Sequence, residues 1–247
     1  DWSSDVCSSD LDRMLEAFFR DLDAKVGAGN YLVTLTADHG FTPVPEQRKA
    51  AALESGRQNT GDTLRRLNDG LTRKFGSGAW VRGWSADGIF VDHSLAMARG
   101  VRREDFDAEA KRLLLVEPGI AAAFTRSDIT SNAPASGSVR SEFAAQAETW
   151  LNAVRKAWHP ERSADIQLVI RPYWLFGGTQ TTGTTHGSPH PYDTHVPILI
   201  HGPQWIGRGE VATRVEVTDL ASTLAALLGV RPPAQNEGKP LPLPSIR

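Results

Sequence analysis

Cysteine is nearly absent, Cys7 being the only one in 247 residues. An intrachain disulfide is therefore impossible, and zinc sites built on paired cysteines are excluded. Charge of one sign is also lacking, since 27 Lys and Arg stand against 29 Asp and Glu, a net of −2. A nucleic-acid or anionic-membrane partner would leave a basic excess or patch, and none is visible. Long apolar runs are missing too. Those present, such as residues 196–200 (VPILI), fall far short of the roughly 20 residues a membrane helix needs. What is there is an ordinary composition, 40% hydrophobic, in a chain long enough for about one to two domains. Small-molecule chemistry is the reading this favours.

The first residues, 1–11 (DWSSDVCSSDL), lack the basic start and apolar stretch of a signal peptide. They look like translated sequencing-adapter read-through, so they are read as a non-native segment in which Trp2 and Cys7 carry no function. The expected domain is 12–247. From Asp12, apolar residues at helical spacing (Leu15, Phe18, Phe19, Leu22, Val26) before a Gly-rich stop predict a helix over about 11–26. The β-branched run 31–36 then predicts a buried strand. A second helix is expected over 60–75, capped by Thr60 or Asp62, with Leu64, Leu67 and Leu71 on one face. Short strands at 79–82 and 88–91, a helix at 103–115 and a strand at 120–124 make 79–125 a candidate α+β insertion. Residues 126–138 read as a mobile connection, 142–158 as a long helix and 165–170 as a buried strand. Residues 175–194 read as a long loop, 196–200 as a strand and 217–228 as a helix ended by Gly229, with Asp219 as its cap. A proline-rich tail follows. The whole predicts an α/β layer fold.

Two clusters could carry chemistry. Asp38-His39-Gly40 follows the strand directly, and ligands in open α/β sheets gather outside the carboxyl ends of strands. The Asp and His offer an oxygen and a nitrogen to a divalent cation, and Gly40 lets the backbone turn. The second cluster, residues 183–195 (GTTHGSPHPYDTH), holds three of the seven histidines. Taken alone, the first cluster reads equally well as a capping aspartate beside a loop histidine, and the second reads better as a surface loop with incidental histidines.

Together, Leu35-Thr36-Ala37-Asp38-His39-Gly40 with Pro43-Val44-Pro45-Glu46, and Gly183-Thr184-Thr185-His186-Gly187-Ser188 with Tyr192-Asp193-Thr194-His195-Val196-Pro197, resemble the alkaline phosphatase superfamily. The resemblance is to its type I phosphodiesterase/nucleotide pyrophosphatase-like bacterial alkaline phosphatases, of threonine-nucleophile type, and covers their C-terminal portion. Weaker echoes lie at 159–166 and 217–230.

The resemblance implies a central, mostly parallel sheet flanked by helices, with its N-terminal part absent here. It implies two zinc ions roughly 4 Å apart, Asp38 and His39 serving one and His186 the other. The nucleophilic threonine and a D-x-x-x-H segment are expected upstream of this chain, so no catalytic nucleophile is assigned within it. The implied activity is hydrolysis of phosphate monoesters through a covalent phospho-threonine, with this chain alone inactive. Alternatives are a phosphodiesterase or nucleotide pyrophosphatase on the same scaffold, and a non-catalytic metal- or partner-binding module. A small phosphate ester is the expected partner, with no nucleic acid or membrane, and the expected location is periplasmic or secreted. His190 and His195 are expected to shape the loop, His93, His159 and His201 to be structural, and most tryptophans to pack the core.

Overall fold

A computed structural model describes residues 4–132, 134–135, 137–177 and 183–246, with side chains from residue 10 onward. Trp2 and the Cys7 side chain lie outside the described residues, as do residues 133 and 136 of the expected connection and 178–182 of the expected loop. The first elements are α1 (Ser4–Val26), β1 (Val33–Thr36), α2 (Pro45–Ala50), β2 (Gly56–Asn59), α3 (Thr60–Phe75), β3 (Val81–Ser85) and β4 (Gly88–Val91). Then come α4 (His93–Ala98), α5 (Arg103–Leu114), β5 (Ile120–Thr125), α6 (Arg126–Thr130), a 3₁₀ turn (Ser141–Gln146) and α7 (Ala147–Ala157). The chain ends with β6 (Ile166–Ile170), β7 (Trp174–Gly177), α8 (Pro191–Thr194), β8 (Ile198–His201) and α9 (Asp219–Leu228). Two units form: Asp1–Asp38 with Val196–Arg247, and His39–His195.

The second unit is built on an antiparallel sheet of order β3-β4-β6-β5. Successive side chains of a strand point to opposite faces, and β5 uses both. Ile120 and Ala123 join Leu67, Leu71, Trp80, Phe106 and Leu114 in one buried cluster. Ala121 and Phe124 join Trp150, Leu151 and Val169 in another. The register shift between Ile120 and Ala122 interrupts the alternation. Helix α3 forms because Leu67 and Leu71 share its buried face and Asn59 accepts the Asp62 N–H at 2.9 Å. A separate parallel pair joins β2 to β7. Gly56 is required there, since a Cβ would stand 2.7 Å from the Trp174 ring.

The first unit contains the antiparallel pair β1–β8, in which Leu35 faces Leu199. Helix α9 closes on Gly229 at φ +65°. The tail is pinned to it: the Ser222 hydroxyl donates to Gly238 O at 2.6 Å, and Lys239 N–H and Leu241 N–H donate to Asp219 and Thr223, each at 2.9 Å.

The α/β class holds, but "mostly parallel" does not describe the pairings among the described strands. Only β2–β7 is parallel. The two-residue turn between β3 and β4 permits a hairpin and is far too short for a parallel crossover. The 79–125 stretch does not close its own sheet, because β6 from outside it lies between β4 and β5.

Other corrections are local. Asn59, not Thr60 or Asp62, caps α3. The start of the 126–138 connection is helical, because Thr125 and Asp128 form a reciprocal capping box. The 142–158 helix is broken at Phe143, whose φ of −113° leaves a 3₁₀ turn before α7. The 175–194 loop holds β7 and α8, both fixed by partners distant in sequence. Asp219 is the first residue of α9, not its cap. Helix α1 begins at Ser4, ahead of the expected start near 11. Among the described residues no helix is long and apolar enough to cross a membrane.

Candidate functional site

Within the second unit, the segment after His39 runs against the segment from Gly183 to His195. Gly40 N–H donates to Asp193 O at 2.8 Å and Thr42 N–H to Thr185 O at 3.0 Å. The Thr184 hydroxyl adds a bond to Thr42 O. Gly40 is there for closeness: a Cβ would stand 2.0 Å from Tyr192 O. The outcome is direct contact between two of the sequence-designated histidines. The His39 and His186 rings stack with centroids 3.5 Å apart and planes 8° from parallel. His39 Nδ1 lies 2.7 Å from Gly40 O. A carbonyl oxygen only accepts, so Nδ1 carries a proton, and in the neutral ring Nε2 is then the nitrogen that can bind a metal. Asp38 ends the first unit, two residues beyond β1.

The His186 loop is held by Asp193, which is buried. Its Oδ2 accepts the Ser188 N–H at 2.8 Å and the Ser188 hydroxyl. Its Oδ1 is buried with no hydrogen-bond partner among the described residues. His190 shapes the loop from beneath: its Nε2 lies 2.8 Å from Ile170 O, and its ring meets Trp150 edge-on at 5.5 Å. Burial pushes its pKa down, which keeps it neutral. Tyr192 accepts the Tyr173 N–H at 3.0 Å, and the Arg48 guanidinium lies 3.5 Å above the Tyr173 ring. The His195 N–H closes α8 on Pro191 O. His93 packs edge-on to Phe106 and lies 3.4 Å from Asp165. His159 accepts the Glu161 N–H, and His201 lies in β8. Thr184 and Ser188 spend their hydroxyls on these loop contacts.

A cleft of about 700 Å³ opens beside this loop, lined by His186, Asp193, Asp87, Trp84, Trp174 and Phe176 among others. Trp84 and Phe176 meet edge-on at 4.9 Å. These tryptophans line a surface, whereas Trp80 and Trp150 are core. Asp87 is the residue sequence reasoning missed. It sits in the β3–β4 turn beside Ala86 at φ +49°, so sequence shows only a turn residue. Burial first, and the Asp193 charge second, raise its pKa to about 6. Among the described residues no three His, Cys, Asp or Glu side chains converge as a metal-binding group.

Comparison with known proteins gives these features a family. The sequence model for type I phosphodiesterase / nucleotide pyrophosphatase matches residues 8–195. A protein of Sphingomonas named alkaline phosphatase PhoK is 32% identical over 94% of this chain and 41% of its own length. One of Myroides odoratus named a calcium-transporting ATPase is 30% identical over 94% and 40%. The crystal structure of alkaline phosphatase PafA superimposes with a TM-score of 0.78 at 29% identity, covering 94% of this chain and 41% of that one. PafA is a protein of Elizabethkingia meningoseptica. The chain thus spans about two-fifths of the length of these relatives. It belongs to the type I phosphodiesterase/nucleotide pyrophosphatase family of the alkaline phosphatase superfamily.

Proposed function

We propose that this chain contributes part of a two-zinc site to a phosphate-ester hydrolase, with His39 and Asp38 serving one ion and His186 the other. The observation that carries the reading is the parallel stack of His39 and His186 at 3.5 Å. An imidazole binds a metal in its own ring plane, through a nitrogen lone pair. Two parallel rings therefore cannot aim at one ion, but each can hold its own. The 3.5 Å between the ring centroids is comparable to the roughly 3.5–4 Å between metals in two-metal phosphoryl-transfer sites.

The remaining residues fit supporting roles. Gly40 O holds His39 in the metal-binding tautomer. Asp193 and Ser188 fix the turn that presents His186. Gly40 N–H ties the two segments together. Two zinc ions would supply Lewis acidity toward the phosphoryl oxygens. Zinc prefers four ligands, so Asp38, His39 and His186 need further donors; the reading assigns these and the threonine nucleophile to the part of the family fold this chain does not span, and expects this chain by itself to turn nothing over. An exported location follows from the same reading.

The test compares this chain with the protein extended upstream to a start codon, measuring zinc content and p-nitrophenyl phosphate hydrolysis. The extended protein is expected to bind about two zincs and turn over, and His186→Ala to abolish turnover and lower the zinc content. An extended protein that binds no metal and hydrolyses no ester would overturn the assignment and favour a binding module. The family description also supports a phosphodiesterase reading. Faster hydrolysis of bis-p-nitrophenyl phosphate than of the monoester would select it.

A further inference from the structure

We propose that the cleft beside His186 holds an organic cation, the alkylammonium group of a ligand, between the aromatic faces of Trp84, Trp174 and Phe176 and the carboxylates of Asp87 and Asp193. Its connection to catalysis, as the pocket for a cationic substituent of the ester, rests on the hydrolase reading. The binding itself does not.

Three observations converge on this. First, three aromatic side chains stand in the wall and are not sealed in the core: Trp84, Trp174 and Phe176 are each only partly buried and line the same space of about 700 Å³. Ring faces carry the negative end of the aromatic quadrupole and attract a cation set over them.

Second, one of the two acidic groups is short of a partner among the described residues. Asp193 is 97% buried, with 3% of its surface exposed, yet its Oδ1 has no hydrogen-bond partner among the described residues. Asp87 feels burial and the like charge of Asp193. Arg162, which also lines the cleft, is exposed. A carboxylate pair left so is costly unless a positive ligand completes it.

Third, the aromatic part of the lining suits an organic cation better than it suits a metal ion. A hard divalent cation wants six or more oxygens, and zinc wants four donors. A weakly hydrated ammonium needs no fixed coordination shell, only aromatic faces and nearby negative charge.

The experiment is calorimetric titration of the 247-residue chain with choline at pH 8 in the presence of EDTA, beside 3,3-dimethyl-1-butanol, its uncharged isostere. Choline is expected to bind saturably and at least about tenfold tighter than the isostere. Asp87→Asn and, separately, Trp84→Ala should each weaken choline by about tenfold, with the circular dichroism spectrum unchanged. Equal binding of choline and its isostere overturns the proposal without any variant, and so does choline affinity indifferent to both substitutions. Because chelator is present and no ester is hydrolysed, the result is independent of the zinc reading. Choline binding by a chain whose extended form hydrolyses nothing would sink the hydrolase and keep the cation pocket. The reverse pattern would do the opposite.

Discussion

The two units of this chain bury very different amounts. In the unit His39–His195, Trp80, Phe106, Phe124, Leu151 and Ile166 are sealed from solvent, and β5 is buried at every position. In the other unit the only buried hydrophobic side chains among the described residues are Leu220 and Ala225. Its strands leave Leu35 half exposed and Leu199 at 58%, and α1 leaves Met14 and Phe18 exposed. Burial of apolar surface is the main force that fixes a side chain in place. His39 and His186 therefore stand on a scaffold that makes its own core, while Asp38 closes a unit that buries little.

The contrast predicts unequal local stability. Amides of β5 and β6 should exchange with deuterium at least about a hundredfold more slowly than those of β1 and β8. Equal protection would erase the distinction. Phe124→Ala should give the largest mutational effect, about 3–5 kcal/mol in urea unfolding, because a large ring leaves a sealed site that cannot fully collapse. Gly40→Ala comes next, at about 2–4 kcal/mol. Its new methyl would press on the Tyr192 carbonyl, which is backbone and cannot swing aside. It should also separate His39 from His186, read as a loss of zinc from the extended protein. Retained zinc would mean the stack is not needed for the metals.

The sequence was most legible where local pattern and burial agree. Helix α3 lies at 60–75 as its leucine spacing predicts, and β4, β5 and α5 fall within a residue or so of expectation. It was least legible where a partner distant in sequence decides. Strand β2, Gly56-Arg57-Gln58-Asn59, has no apolar pattern. It is extended because it pairs with β7 and because buried Gln58 bonds Glu117 and Gly119. Helix α6 was readable from its Thr125-x-x-Asp128 signal but was masked by the Ser, Asn, Pro and Gly that follow. The Asp-His and Thr-x-His motifs each hold one of the two histidines that stack. Asp87 could not be found so, since nothing local distinguishes it from any turn aspartate.

Asp87 gives the next prediction, with a defined sign. Its folded pKa of about 6 lies above its ordinary value of 3.8, so the folded state holds the proton more tightly. That contribution is fully present below about pH 4 and is lost as pH rises through about 6. The metal-free chain should lose about 2–3 kcal/mol across this window. Asp87→Asn should flatten the slope and leave the chain more stable than wild type at pH 8. A wild-type curve that rises from pH 4 to 6 would show that Asp87 has a positive partner in solution.

The smallest expected effect tests the other half of the contrast. Leu199→Ser removes a side chain that is 58% exposed, opposite Leu35 at 50%, so little burial is lost. The cost should be under about 0.5 kcal/mol, typical of surface positions. If the change instead costs as much as a core truncation, these leucines are covered in solution by something the isolated chain does not provide for itself. Sedimentation then identifies the cover. A stability that rises with protein concentration, lost in the Leu199→Ser variant, means that a second copy packs on the strand pair. A concentration-independent loss means that the strand pair is more tightly packed than its exposure indicates, and the inequality between the two units fails.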